Sequence, residues 1–152
     1  MELQTLTNPE LIFPELPGTD RVSALRALAE RVAYEGNSLD SHEIYEKLLE
    51  REDLGSTCIG RGVAVPHCKV KRLDRVVVAI GVLKEGIDYG ASDGTPVRLL
   101  FLVLSPENSP AEHLKSLAAI SKWVQGDSHV ERILEQPDRE SILDLLQETE
   151  PA

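Results

Sequence analysis

Two runs of aliphatic and β-branched residues, at 76–82 and 97–104, constrain the fold of this chain more than any other feature. Both runs are short and nearly free of charge, which is typical of strands buried on both faces. Segments with apolar residues at helical spacing precede and follow them, so helices are available to cover the sheet. We therefore predict a single α/β domain with a mixed β-sheet.

Four helix starts support this interpretation. Asp20 begins the first amphipathic segment, which we expect to end near Gly36. Asp40 is placed as the N-cap of a second helix that ends near residues 51–54. Ser109 followed by proline and, at the third helical position, glutamate predicts a third start, and Ser128 repeats the pattern. A last helix is predicted around residues 142–146.

A glycine-rich stretch at 55–65 separates the second helix from the first long strand. Its end, at 63–65, reads as a strand that stops at Pro66, because proline cannot donate to a strand ladder. Residues 11–13 are predicted as a further short strand. His67 is therefore expected at the end of a strand, directly after Pro66, whose ring restricts the backbone.

Composition excludes several functions. The chain has 152 residues and a formal net charge of −10, which argues against non-specific binding to nucleic acid. The longest apolar run is far short of the roughly 20 residues that span a bilayer. The first residues lack the basic and apolar parts of a signal peptide. Two cysteines do not make a disulfide framework. We expect a cytoplasmic protein that is not inserted in a membrane.

The histidines and cysteines do not fit the usual site types. Cys58, Cys68, His67 and His113 lack the spacing of zinc ligands, and no metal is predicted. The glycines at 60 and 62 lack the third glycine of a dinucleotide fingerprint and precede a strand instead of following one. A cysteine nucleophile at Cys68 is a minor alternative, and no serine nucleophile elbow occurs.

A histidine nucleophile with anion-binding neighbours remains. Imidazole is a good nucleophile near pH 7, and a covalent phosphohistidine needs donors and a cation around the phosphoryl oxygens. The candidate nucleophile is His67, and the candidate neighbours are Arg51, Ser56, Thr57 and His113. Each of the four neighbours has a plain alternative as a turn, surface or core residue.

The segment from Arg51 to His67, with the letters REDLGSTCIGRGVAVPH, resembles the active-site signature of enzyme IIA of the phosphoenolpyruvate-dependent sugar phosphotransferase system. The resemblance is to the fructose/mannitol class, which includes nitrogen-regulatory IIA proteins. Residues 86–97, 97–106 and 113–121 also resemble family segments. A similar pattern runs from about residue 11 to 146, and we expect residues 1–152 to be one IIA domain.

The resemblance implies roles for the candidate residues. His67 matches the phosphoryl acceptor, and His113 matches a second, supporting histidine. Arg51 matches the arginine that offsets phosphoryl charge, while Ser56 and Thr57 match a hydroxyl pair near the phosphoryl group. The family fold is a three-layer α/β/α sandwich, and no organic cofactor or metal is implied. Cys58 and Cys68 stand where glycine is common in the family, and we expect an inert small residue at 68.

The resemblance also implies partners. A histidine-containing phosphocarrier protein, of the sugar type or its nitrogen-branch counterpart, would be the donor. The acceptor or target would be a regulatory protein in the nitrogen branch, which the solitary domain favours. Two alternatives stay open: a IIA component of sugar uptake that passes phosphate to a IIB domain, and a degenerate binding module without phosphotransfer.

Overall fold

The structure, a computed structural model, describes residues 2–34 and 38–149. Within these residues, a short strand and two helices are followed by five consecutive strands and then by three helices, so helical segments precede and follow the two long apolar strands as the sequence predicts. In order, the elements are two short 3-10 helices (Leu3–Thr5 and Pro9–Leu11), β1 (Ile12–Phe13), α1 (Arg21–Val32), α2 (Ser41–Asp53), β2 (Cys58–Gly60), β3 (Val63–Ala64), β4 (His67–Val70), β5 (Val77–Ile87), β6 (Val97–Pro106), α3 (Pro110–Val124), α4 (His129–Leu134) and α5 (Arg139–Thr149).

The six strands form one mixed sheet in the order β1-β5-β6-β3-β2, with β4 also paired to β6. The long central strands β5 and β6 are antiparallel. Strand β1 runs parallel to β5, and both β3 and β4 run parallel to β6. The predicted α/β fold with a mixed sheet in a single domain is confirmed.

Strands β3 and β4 lie along the same side of β6 and keep one register. Val63 pairs with Leu99, and His67 pairs with Val103, the same offset along both strands. Pro66 interrupts the ladder because it has no N–H, yet its carbonyl accepts from the Val103 N–H at 3.0 Å. The strand β3 does end before Pro66, as predicted. The chain nevertheless stays extended beside β6, and β4 begins at the next residue.

Side chains of β6 alternate between two cores, as the period of a strand requires. Leu100, Leu102 and Leu104 pack with α1 and α2 on one face of the sheet. Leu99, Phe101 and Val103 pack with α3, α4 and α5 on the other face. This gives the three-layer α/β/α arrangement and explains why 97–104 reads as a continuous apolar run.

The first two helix starts are confirmed. The Asp20 carboxylate accepts from the Ser23 N–H at 2.8 Å, and the Ser23 hydroxyl accepts from the Asp20 N–H, which completes a capping box. The Asp40 carboxylate accepts from the first backbone N–H groups of α2. Helix α1 ends at Val32, earlier than expected, and Gly36 lies outside the described residues.

Helices also begin after Ser109 and Ser128, but the prediction that these two serine side chains cap them is wrong. Ser109 precedes α3, but its hydroxyl makes no cap and instead faces Asn108. Ser128 precedes α4 with φ 59°, in the left-handed region, and also makes no side-chain cap. An N-cap needs an extended backbone to bring its oxygen over the helix, and neither serine has one.

No helix in the described part of the chain is long and apolar enough to cross a membrane.

Candidate functional site

His67 and His113 lie side by side on the α3 face of the sheet. His67 is the first residue of β4 and pairs with Val103, whose side chain belongs to the core on that face. His113 lies in the first turn of α3, directly after β6. The centroids of the two imidazole rings are 5.4 Å apart, with their planes tilted by 57°. The sheet register and the β6–α3 connection thus bring together the two histidines singled out in the sequence.

A backbone carbonyl fixes the proton of the His67 ring. The Nδ1 atom lies 2.8 Å from the Val65 carbonyl oxygen. A carbonyl only accepts, so Nδ1 carries the hydrogen and the lone pair of the neutral ring is on Nε2. Nε2 has no hydrogen-bond partner among the described residues. The ring is only partly buried, and its free nitrogen is available as a nucleophile.

His113 is buried at the start of α3. The residue is 8% exposed, and its Nδ1 atom lies 2.5 Å from the hydroxyl oxygen of Ser105. Burial lowers the pKa of His113, and electrostatic interaction with the neighbouring His67 and Lys69 side chains lowers it further. The imidazole is therefore held in its neutral form more strongly than an exposed histidine.

Arg51 stands at the end of α2, next to a cleft of about 260 Å³. One guanidinium nitrogen donates to the Gly55 carbonyl at 2.8 Å, which ties the side chain to the loop that follows the helix. The other guanidinium N–H groups make no hydrogen bond to the described residues and can bind an anion. The cleft is lined by Arg51, Ser56, Thr57, Cys58, Ile59, Val65, His67, Leu117 and Ser121.

The cleft therefore joins four of the five predicted site residues, and His113 lies beside His67. The Ser56 hydroxyl already has partners: it donates to the Tyr89 carbonyl at 2.9 Å and accepts from the Cys58 N–H at 3.2 Å. Its position near the cleft agrees with the sequence, but its hydrogen is bonded within the protein.

Thr57 belongs to a buried polar cluster with Glu52 and Tyr89. The Glu52 carboxylate, 4% exposed, accepts from the Thr57 N–H at 3.0 Å and from the Thr57 hydroxyl at 2.5 Å. The Tyr89 hydroxyl donates to the same carboxylate at 3.0 Å. Burial raises the pKa of Tyr89, and the negative charge of Glu52 raises it further. Three donors compensate the buried carboxylate, as burial of a charge requires.

Sequence reasoning missed Glu52, Tyr89 and Ser105. Two of them carry a signal. Glu52 continues the four-residue spacing of Ile44 and Leu48 on the buried face of α2. Ser105 continues the two-residue alternation of β6 towards α3, so it could have been paired with His113. Tyr89 approaches Glu52 only through the tertiary fold, and no local pattern predicts that contact.

The cysteines are separate free thiols. Cys68 is buried, and burial raises its pKa to about 12, so the thiol stays protonated near neutral pH. This agrees with an inert residue beside His67 and disfavours a nucleophile at that position. Cys58 is less buried and lines the cleft. In the described part of the chain, no group of three or more His, Cys, Asp or Glu residues is placed to hold a metal ion.

Comparison with known proteins gives consistent relatives. The chain is 36% identical over 146 residues to a nitrogen regulatory protein of Bradyrhizobium diazoefficiens, covering 96% of this chain and 95% of the relative. It is 32% identical to a fructose-specific EIIA component of Haloferax volcanii, covering 97% and 96% of the two chains. The crystal structure of the nitrogen regulatory protein IIA-Ntr from Neisseria meningitidis superposes with a TM-score of 0.85 at 26% identity, covering 94% and 97%.

A family model provides the broadest match. Residues 5–149 match the family described as phosphoenolpyruvate-dependent sugar phosphotransferase system, EIIA 2. The match includes every element from α1 to α5, and the Haloferax relative and the structural neighbour both carry IIA in their names. The chain therefore belongs to the EIIA 2 family of the phosphoenolpyruvate-dependent sugar phosphotransferase system, as a component of a phosphotransfer pathway.

Proposed function

We propose that this protein is a phosphocarrier whose His67 accepts a phosphoryl group from a phosphohistidine carrier protein. The observation that carries the proposal is the 2.8 Å bond from His67 Nδ1 to the Val65 carbonyl. It leaves the Nε2 lone pair free at a cleft that Arg51 also lines. Such an arrangement supplies a nucleophile and a cation at one place.

The transfer is an in-line displacement at phosphorus. The Nε2 lone pair of His67 forms the new N–P bond, and the N–P bond of the donor breaks with its electron pair returning to the donor imidazole. The donor ring, protonated on its other nitrogen, leaves as neutral imidazole, and the His67 ring keeps its hydrogen on Nδ1. No net proton transfer is needed. Arg51 offsets the phosphoryl charge, and His113 donates to a phosphoryl oxygen.

Ser56 and Thr57 have a different role in this proposal from the one that the family resemblance implies. Their hydroxyl hydrogens are donated to Tyr89 and Glu52, so they hold the loop beside the cleft. The loop in turn places the guanidinium of Arg51, which is bonded to Gly55. We propose that both hydroxyls act through loop position, with phosphoryl contacts made by Arg51 and His113.

The phosphorylation state then controls which partners bind, as in the nitrogen-regulatory branch. The 36% identity to a nitrogen regulatory protein and the 0.85 TM-score to IIA-Ntr favour this branch. A second candidate is transfer to a IIB domain in sugar uptake, which the 32% identity to a fructose-specific component favours. A binding module without phosphotransfer is disfavoured by the free Nε2 atom and the neighbouring cation.

Intact mass measurement tests the function. The protein is incubated with phosphoenolpyruvate, enzyme I and either the sugar-type or the nitrogen-type phosphocarrier. We expect one acid-labile phosphoryl group, gained faster from the nitrogen-type donor. Subsequent transfer to a purified IIB domain would favour sugar uptake. A folded protein that gains no phosphoryl group from either donor would contradict the phosphocarrier role.

A further inference from the structure

We propose that Ser105 is a positioning residue for His113: its hydroxyl donates to Nδ1 and keeps the imidazole hydrogen on Nε2, where it serves the phosphoryl group on His67. The inference rests on the proposed function and adds a named residue to the site. Ser105 belongs to β6 and does not line the cleft. Its effect therefore reaches the phosphoryl group only through the His113 ring.

The hydrogen-bond inventory determines the direction of the Ser105–His113 bond. Ser105 is fully buried, and its hydroxyl oxygen lies 2.5 Å from His113 Nδ1. The hydroxyl has no other partner among the described residues. If Nδ1 donated to the oxygen, the hydroxyl hydrogen would be buried without an acceptor, which is costly. If the hydroxyl donates, both groups are satisfied, and the neutral ring carries its hydrogen on Nε2.

Regular structure holds this pair in place. Ser105 pairs with Lys69 in the β4–β6 ladder, two residues beyond the pair formed by His67 and Val103. Because side chains two apart on a strand share a face, Ser105 and His67 approach α3 from the same side of the sheet. The buried setting that lowers the pKa of His113 also favours the neutral ring, the form in which Nδ1 can accept.

The hydrogen on His113 Nε2 is available for a ligand. In the described residues, no hydrogen bond joins the His113 ring to the His67 ring, although their centroids are only 5.4 Å apart. Neither ring has a hydrogen bond at Nε2 to any other described residue. A phosphoryl group on His67 Nε2 would bring oxygens next to a donor that is already oriented, which needs little reorganisation during transfer.

Three substitutions separate positioning of the His113 ring from general stability. Ser105→Ala removes the donor, while Ser105→Thr retains a hydroxyl. Ser116→Ala is a matched control, because Ser116 is also fully buried and also bonded to His113, but through the backbone carbonyl at 2.7 Å. Both alanine variants therefore remove one buried hydroxyl next to the same residue, and only one of them touches the ring.

Imidazole ¹⁵N spectra at neutral pH, together with phosphorylation rates, provide the readout. We expect His113 Nδ1 to be unprotonated and hydrogen-bonded in the wild type and in Ser116→Ala. In Ser105→Ala, we expect the ¹⁵N chemical shift of His113 Nδ1 to move to that of a nitrogen without a hydrogen bond. We expect the phosphorylation rate to fall by about tenfold, the size of loss that removal of a hydrogen-bond partner of a metal-ligating histidine causes. Ser105→Thr should restore both.

A protonated Nδ1 in the wild type would overturn the inference, even if the variants do not fold. A Ser105→Ala variant with the rate of Ser116→Ala would also overturn it. A wild-type protein that gains no phosphoryl group would contradict the proposed function instead. The imidazole ¹⁵N spectrum would still decide the direction of the Ser105–His113 hydrogen bond.

Discussion

A buried carboxylate organises the loop that lines the cleft. Glu52 lies on the inner face of α2, one residue after Arg51, and is bonded twice to Thr57 and once to Tyr89. The position of this loop thus depends on the Glu52 carboxylate, which does not itself line the cleft. Loss of any one donor leaves the carboxylate less compensated in a medium where water cannot replace the bond.

Tyr89→Phe should lower the free energy of unfolding by about 1.5–3 kcal/mol, because it removes a hydrogen bond to a buried charged group. Tyr45→Phe is the control, since the Tyr45 hydroxyl lies at the surface and, among the described residues, accepts from Arg26 alone. It should cost less than about 0.5 kcal/mol. Urea unfolding followed by circular dichroism measures both. Equal losses in the two variants would contradict the stabilising role of the Glu52 cluster.

The lowered pKa of His113 predicts that the stability of the fold depends on pH. The pKa of His113 is lowered in the folded protein, mainly by burial, from an ordinary value of 6.5. Between the two pKa values the unfolded chain binds more protons, so stability rises with pH in that window. The contribution is complete above about pH 6.5 and is lost as pH falls through the folded pKa.

Urea midpoints measured from about pH 5 to about pH 8 test this sign. The His113→Gln variant should depend less steeply on pH than the wild type in the lower part of the range. A slope unchanged by His113→Gln would show that His113 does not couple folding to pH.

At the scale of elements, the difference between helix starts is instructive. Asp20 and Asp40 have extended backbones, and their carboxylates reach the free N–H groups of the first turn. Ser109 and Ser128 have the right residue types in the right order, but their backbones are turned away from the extended region. Residue type predicts where these helices begin, while the cap itself depends on the incoming loop, which tertiary contacts fix.

Asp20→Ala should therefore destabilise the protein by about 1 kcal/mol, and Ser109→Ala should have almost no effect. Both positions precede a helix of at least three turns, so the comparison isolates the cap bond. Chemical denaturation gives both values. A loss for Ser109→Ala as large as that for Asp20→Ala would mean that its hydroxyl caps α3 in solution.

At the scale of the whole molecule, periodicity was enough to predict the layered α/β class. The two apolar runs became β5 and β6, and the helical segments became the two outer layers. The same local rules could not predict that β4 continues β3 past Pro66, because that depends on pairing with β6. They placed His67 after a strand but not at the start of the next one.

The candidate site divides in the same way. Residue types and the family resemblance identified four of the side chains that border the cleft, Arg51, Ser56, Thr57 and His67. The partners behind them, such as Glu52 for Thr57 and Ser105 for His113, are separated along the chain or hidden in an apolar pattern. Tyr89 is 37 residues from Glu52, and only the fold joins them.

If His67 is the phosphoryl acceptor, as we propose, its replacement should abolish phosphorylation, and intact mass measurement detects this loss. Wild type, His67→Ala and His42→Ala are each incubated with phosphoenolpyruvate, enzyme I and the preferred carrier. His42 is the control because it is exposed and lies on α2, away from the two histidines of the site. We predict one phosphoryl group on the wild type and on His42→Ala, and none on His67→Ala. A folded His67→Ala protein that gains the same label on a histidine would contradict the account.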